Sequence, residues 1–457
     1  MLEKNLLYIL QIENYSPKFF LRYAYTHFNW WNLEKRGKLV WTTKAKAIHT
    51  VSLVLIFLFF IGSLFSFGYK GFFSLIFIIL FLPFFILLAL CVLSPLDYAL
   101  KKKNTKLAKK IIEENKRNLT VIGITGSYGK TSTREILASV LGEKFRVLKL
   151  PDNINTDLGI SDFIIKNKNN LKDADIFIVE MGAFKKGEIK KICDIVRPDY
   201  AILTGINESH LTKFGNMENI IKTKFELPEA AKETTVLNFN DKNIRGNYSR
   251  FKIKESIGVS SGDAQRLEFK NDFSGISFEV ENVRFETKLL ALHNVVLILL
   301  CLEIAKKLNM NLEEIKRGVE KIKIIPHRLE PIYNARTNIR VIDDSYNGNL
   351  NGFISGLEVL SNARGRKIVL TPGLVELGEK TEEIHKKIGE LYAKKKLDLV
   401  LLIKNKVSDY IVYGMEKNNF KRYKIYNSTK EAHADLGNIL MNGDTIIFQN
   451  DWPDNYF

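Results

Sequence analysis

Two apolar runs limit what this chain can become more than any other feature. From Ile48 to Tyr69, and again from Phe72 to Leu96, there is no Asp, Glu, Lys or Arg, and His49 stands at one edge. Each run is long enough to cross a hydrocarbon core of ~30 Å as a helix. Between them lies Gly68-Tyr69-Lys70-Gly71, too short for a domain and composed like a tight turn, which predicts a helical hairpin. Pro83 in the second run predicts a kink. Lys35, Arg36, Lys38, Lys44 and Lys46 precede the hairpin and Lys101, Lys102, Lys103, Lys106, Lys109 and Lys110 follow it, against Lys70 alone in the turn. This bias puts both ends in the cytoplasm and predicts a two-span protein of the cytoplasmic membrane, with lipids as partners. A cleaved secretory signal is not expected, because residues 1–47 come first and no small-residue cleavage pattern follows. A buried hairpin in a soluble protein is the competing reading. Trp30, Trp31 and Trp41 suit an interfacial belt, and suit a small packed subdomain equally well.

The chain has 457 residues, enough for two or three domains. Its formal net charge of +17 is compatible with nucleic acid, anionic lipid or an acidic substrate, so its location decides. The run from Lys101 to Arg117 beside the hairpin reads as a solvated helix near anionic lipid rather than a nucleic-acid site. Cys91, Cys193 and Cys301 are far apart, with no spacing for a metal site or a disulfide framework. A reduced compartment fits.

Chemistry enters after residue 119. Leu119 to Ile124 is a β-type run, followed by Thr125-Gly126-Ser127-Tyr128-Gly129-Lys130-Thr131-Ser132-Thr133 and a helical pattern from Arg134 to Leu141. Glycines let backbone N–H groups close around phosphate, and the helix N-terminus favours the anion. Lys130 can reach terminal phosphates and Thr131 can ligate Mg²⁺. Ile124 stands where the generic phosphate loop has its first glycine, and a chance Gly-Lys-Thr turn is the bland alternative.

The loop Gly123-Ile124-Thr125-Gly126-Ser127-Tyr128-Gly129-Lys130-Thr131-Ser132-Thr133 resembles the ATP loop of Mur ligases, and the resemblance continues downstream. Val179-Glu180-Met181-Gly182-Ala183, Leu203-Thr204-Gly205-Ile206-Asn207-Glu208-Ser209-His210-Leu211 and Lys224-Phe225-Glu226 follow in the family's order. His293-Asn294, His327-Arg328-Leu329-Glu330 and Asp343-Asp344-Ser345-Tyr346-Asn347-Gly348-Asn349 come next. Gly373-Leu374-Val375-Glu376-Leu377-Gly378-Glu379 and Asn450-Asp451-Trp452-Pro453-Asp454-Asn455-Tyr456 are most similar to the MurF branch.

The resemblance implies an ATP-dependent carboxylate–amine (peptide) ligase that works through an acyl phosphate. The branch implies addition of D-Ala-D-Ala or a similar amine to a muropeptide-like acid, with ATP and Mg²⁺ and no nucleic acid. It implies an ATP site of Gly126, Ser127, Gly129, Lys130, Thr131, Ser132, Asn294, Arg328 and Asp343. Thr131, Glu180 and His210 would hold metal, and Asn153, Asn155 and Thr156 would hold the acceptor. Lys130, Glu180, His210 and Lys224 would be catalytic, Lys224 as a carbamate, which requires a neutral amine and hence a lowered pKa. Taken singly, each has a bland alternative: Glu180 as a strand-end carboxylate, His210 as a core histidine, Lys224 as a solvated cation, Asn294 and Asp343 as structural.

The chain also departs from the family pattern. Gly205 and Asn207 replace the usual Asn and Gly, Thr156 and Leu297 each replace an Asn, and Leu350 replaces a common Pro. The hairpin stands where a uridine-nucleotide domain is ordinarily found. The expected fold is α/β: a P-loop ATPase-type, mostly parallel sheet over 119–325, then a Rossmann-like α/β domain over 326–457. Before them come an N-terminal cytoplasmic or interfacial segment 1–47, the transmembrane hairpin 48–96 and a basic linker 97–118. Three functions stay open: the MurF-like reaction, the same chemistry on a lipid-linked or polymeric envelope acid, and a non-catalytic membrane scaffold derived from a ligase.

Overall fold

The computed structural model describes residues 2–12, 15–26, 30, 39–270, 273–346, 348–375 and 377–450. Trp31, Lys35, Arg36, Lys38, Asn347, Glu376 and the motif residues 451–456 lie outside that set. The chain divides into two compact units between Lys103 and Asn104.

In the first unit, short helices Leu2–Ile12 and Pro17–Thr26 precede the long helix Thr43–Phe67. Thr42 caps that helix by accepting from the Ala45 N–H at 3.1 Å. A 3₁₀ turn, Gly68–Phe73, leads to helix Ser74–Leu80 and then to Leu82–Asn115. The second limb folds back on the first: Phe59 meets Phe77 and Phe85, each with ring centroids 5.5 Å apart. At the turn, Gly71 approaches so closely that a Cβ there would lie 2.7 Å from the Ser63 carbonyl. The expected kink is a helix break at Phe81, with Pro83 in the first turn of the next helix, where its missing N–H leaves no bond unmade. Pro95 leaves its helix unbroken, and the Ser94 hydroxyl donates to the Cys91 carbonyl that Pro95 cannot reach. Leu6, Leu10, Phe20 and Trp30 pack with Ile48, Ile86 and Leu90 into a small core. Trp30 is therefore a packing residue here, whereas Trp41 is exposed. Phe57, Leu58, Phe65, Phe72 and Phe84 are more than half exposed. Two helical stretches of the unit are long and apolar enough to cross a membrane.

The second unit is mixed α/β with parallel sheets. Its first sheet comprises β1 (Thr120–Thr125), β2 (Val147–Lys149), β3 (Ile176–Met181), β4 (Tyr200–Leu203), β5 (Thr234–Asn238) and β6 (Glu255–Val259), in the order β2-β3-β1-β4-β5-β6 and parallel throughout. Strands β1 and β3 are apolar along nearly their whole length because helices cover both faces. Helices Asp157–Lys166, Glu188–Val196 and Met217–Ala230 pack on one face, and Lys130–Leu141, His293–Lys307 and Leu312–Glu320 on the other. The basic stretch after the hairpin is helical, and its Ala108, Ile111 and Ile112 are buried in the core of the first face.

A small antiparallel sheet follows, β7 (Gln265–Phe269), β8 (Ile276–Val280) and β9 (Val283–Thr287). The last sheet has β10 (Glu330–Asn334), β11 (Ile339–Asp344), β12 (Lys367–Gly373), β13 (Leu399–Ile403), β14 (Tyr423–Tyr426) and β15 (Thr445–Asn450), in the order β10-β11-β15-β12-β13-β14. It is parallel except for the edge strand β10, which pairs antiparallel with β11.

Candidate active site

Three neighbouring strands end at one place. β1 runs into the glycine loop, β3 ends beside Glu180, and β4 leads to the segment Gly205–His210. In an open parallel sheet this carboxyl edge is where ligands bind.

The loop is held in a shape that only glycine permits at two points. Gly126 has φ +157°, and a Cβ there would fall 2.1 Å from the Thr204 hydroxyl; Gly129 has φ +78°. The Ser127 N–H donates to the Gly205 carbonyl at 2.7 Å. Lys130 opens the helix Lys130–Leu141 and folds its ammonium back onto the Gly126 carbonyl at 2.8 Å. Burial lowers its pKa, partly opposed by Glu180, with Arg328 adding to the lowering. The cleft thus gathers cations before any anion enters.

Glu180 is almost fully buried. Its carboxylate accepts from the Thr131 hydroxyl at 3.1 Å, from the Arg134 guanidinium at 3.3 Å and from the Asn155 amide at 3.5 Å. A carboxylate and a hydroxyl side by side form the hard oxygen donor set that suits Mg²⁺. Arg134 also pairs with Glu135 and Asp152. Sequence reasoning missed Arg134; the signal was a charged residue on the buried face of an amphipathic helix.

His210 has φ +61° at the start of the short helix Leu211–Phe214, its ring edge-on to Phe184 at 5.0 Å. Lys224 lies buried in helix Met217–Ala230, 6.0 Å from the Phe214 ring centre. Burial, then the positive charge of Lys130, lowers its pKa from the ordinary lysine value to about 7. Lys224 is not the solvated cation its lysine-rich neighbourhood suggests.

Of the residues expected to hold the acceptor, Asn155 reaches Glu180, and Asn153 accepts from the Tyr346 hydroxyl. Thr156 turns its hydroxyl to the Gly159 N–H at 3.3 Å and caps the helix Asp157–Lys166. Ser132, His293, Asn294, Leu297 and Arg328 line a cleft closed on its other side by Tyr346, Asn349 and Asn351. His293 is driven to a pKa of about 4 by burial and by Arg328, so its imidazole is neutral. The carboxylate on the cleft lining is Asp344, whereas Asp343 bonds His327 at 2.7 Å and the Ser345 N–H at 3.0 Å. Burial raises the Asp344 pKa to about 7, against the pull of Arg328.

With this geometry in place, the class follows. Residues 124–305 match the Mur ligase middle domain and residues 327–449 the Mur ligase glutamate ligase domain, so the chain belongs to the Mur ligases, ATP-dependent peptide ligases. Within that class it is 27% identical to the UDP-N-acetylmuramoyl-tripeptide--D-alanyl-D-alanine ligase of Bacillus subtilis, over 75% of each chain. It is also 27% identical to that of Escherichia coli, over 69% of this chain and 72% of the relative. Among solved structures it resembles MurF of Thermotoga maritima in complex with ADP, at 25% identity and a TM-score of 0.66, covering 77% of this chain and 80% of that one. MurF of Acinetobacter baumannii shares the fold, with a TM-score of 0.67 at 23% identity over 77% of each chain.

Proposed function

We propose that this Mur ligase joins D-Ala-D-Ala, or a similar amine, to the carboxylate of a muropeptide-like acid, in domains spanning 119–325 and 326–457. The observation that carries the reading is the meeting of Lys130, Thr131 and Glu180 at the carboxyl ends of adjacent strands, beside a buried lysine with a pKa near 7. Bound Mg²⁺ neutralises phosphate oxygens and lowers the barrier to phosphoryl transfer. Gly126, Ser127, Gly129 and Ser132 shape the phosphate cradle, and Lys130 leaves the Gly126 carbonyl to meet phosphate. Thr131, Glu180 and His210 would hold the metal, with Arg134 and Asn155 fixing the Glu180 carboxylate so that it is set before substrate arrives. Asn294 and Arg328 orient the nucleotide from the cleft wall, where Asp344 supplies the carboxylate expected of Asp343, whose own side chain is held by His327 and Ser345. Asn153, Asn155 and the loop capped by Thr156 place the acceptor carboxylate, which takes the γ-phosphoryl group as an acyl phosphate and yields it to the amine.

The neutral Lys224 amine attacks CO₂ through its lone pair and releases one proton, leaving a carbamate that adds an anion to the metal side. The hairpin spans the cytoplasmic membrane with both ends inside, supported by exposed phenylalanines that water would not tolerate in such number. That same hairpin favours a second reading, in which the acid is lipid-linked. The test is phosphate release from ATP and Mg²⁺ by the full chain in detergent, with D-Ala-D-Ala and either a UDP-linked or a lipid-linked muropeptide. Release dependent on both acid and amine is expected; none with either acid refutes the ligase reading, and the preferred acid decides between the two.

A further inference from the structure

Ser127 in the phosphate loop is followed by Tyr128, whose ring lies on Gly205, on the neighbouring strand's loop. A Cβ at position 205 would sit 2.1 Å from Tyr128 Cζ, 2.4 Å from Cε1 and 2.5 Å from Oη. The ring is not free to swing away. Its hydroxyl donates to Asp241 Oδ2 at 2.8 Å, and Asn351, across the cleft, faces the same hydroxyl. The backbone of Tyr128 is tied as well, since its carbonyl accepts from the Thr204 hydroxyl and the Ser127 N–H is given to Gly205.

Asp241 spreads the connection. The oxygen that takes the phenol also accepts the Ile206 N–H at 2.8 Å, while its other oxygen caps the helix Lys242–Arg245 through the N–H groups of Asn243 and Ile244. One step further, the Asn207 N–H donates to the Ser127 hydroxyl at 3.2 Å, and the Asn207 amide donates to Asn349 at 3.3 Å. The phosphate loop and the segment that carries His210 are thereby stitched together at both of their faces.

From this we infer that Tyr128 and Gly205 are one interlocked positioning pair: the ring fills the space of a side chain at 205 and sets the register between the phosphate loop and the Gly205–His210 segment. Tyr128 also lines the cleft beside Gly129, and its part in the pair is positional. It acts through the N–H groups of residues 126–130 and through Ile206, and the inference rests on the nucleotide reading of that loop. It also gives a physical reason for the glycine at 205 where the family usually has Asn.

The test is a binding cycle that needs no turnover: MgADP affinity, by calorimetry on the full chain in detergent, for the parent, Gly205→Ala, Tyr128→Ala and the double variant. Forcing a methyl under a pinned ring is an overpacking strain, so Gly205→Ala should weaken MgADP roughly tenfold or more. Tyr128→Ala should weaken it about threefold to tenfold through lost register. The double variant should match Tyr128→Ala within about twofold, because the methyl then has room. Tyr128→Phe, which keeps the ring and the fold, should also weaken MgADP about threefold and raise the Mg²⁺ concentration needed for half-maximal binding. Parental affinity in Gly205→Ala, or a double variant weakened by the product of the single effects, overturns the pairing. A parent that binds MgADP but joins no acid to amine sinks the ligase reading and leaves the pairing standing; a parent that does not bind MgADP sinks both.

Discussion

The two units of this molecule treat charge and apolar surface in opposite ways. In the hairpin unit the buried polar side chains are Asn5, Ser52 and Ser74, none of them charged among the described residues, while Phe57, Phe65 and Phe72 face outward. In the α/β unit most of the large apolar side chains are inside, and Arg134, Glu180, Lys224 and Asp241 are buried with them. A contiguous set of exposed phenylalanines and leucines marks a surface built to meet something other than water. A charge taken inside persists only if partners or a ligand meet it, or if its proton equilibrium shifts. On the proposed membrane reading, the first unit works through its outside and the second through its inside.

The sharpest way to break this contrast is to remove the cation that anchors the inner site. Lys130→Ala should lower phosphate release by ~1,000-fold at saturating ATP, the scale of losing a preorganised charge at a phosphoryl group. Its thermal midpoint should stay within a few degrees of the parent, because among the described residues the side chain's hydrogen bond is to the Gly126 carbonyl and its charge is already disfavoured by burial. Turnover near the parental rate would remove the phosphate loop from the chemistry.

Next comes the outer surface. Leu58 is 60% exposed in the first long helix, so in a water-soluble protein Leu58→Arg would change stability by no more than ~0.5 kcal/mol. In a bilayer it should cost about 2.5–3.5 kcal/mol of insertion. Carbonate extraction of membranes separates the two: the parent should stay with the pellet and the variant should be partly released. A parent found wholly in the supernatant would make the hairpin a soluble element.

Lys224 tests whether a buried lysine is a cation at all. Lys224→Arg keeps the charge and cannot form a carbamate, so phosphate release should fall by ~100-fold, as for a lost metal-side group. Lys224→Ala should fall similarly and be partly restored by formate. The pH dependence has a definite sign. A lysine with its pKa lowered to about 7 is neutral above that value, so at fixed dissolved CO₂ the parent should gain activity as pH rises through about 7 and lose it below. An arginine variant as fast as the parent would end the carbamate proposal. The smallest effect belongs to Thr156→Ala, which should cost about 1 kcal/mol of stability in a denaturant melt through the lost cap. MgADP affinity should not change; a change would give Thr156 a role in nucleotide binding beyond its cap.

What could be seen in advance followed from locality. The glycine loop, Lys130 and Thr131 are consecutive, and each residue type has a reason at its place, so the loop was legible from one segment. β1, β3, β4, β12 and β13 were legible because strands buried on both faces are continuous apolar runs. The strands β7 to β9 were not, since Gln265, Arg266, Glu268 and Glu279 give them the look of a polar linker. Burial of Lys224 was invisible for a similar reason: Lys213 and Lys222 beside it are the pattern of a solvated face, and only the packing of Phe214 and the first sheet's core changes that. Asp343 and Asp344 are neighbours in the sequence, and only the alternation of a strand decides which of them faces the cleft. Tyr128 and Gly205 lie on different strand ends, and nothing in either local sequence announces the other.

The fit of that ring on that glycine also makes the two positions answer to each other under mutation. With the ring pinned through Asp241, a side chain at 205 would come within 2.1 Å of Tyr128, so a larger residue at 205 is borne at lower cost where position 128 is small.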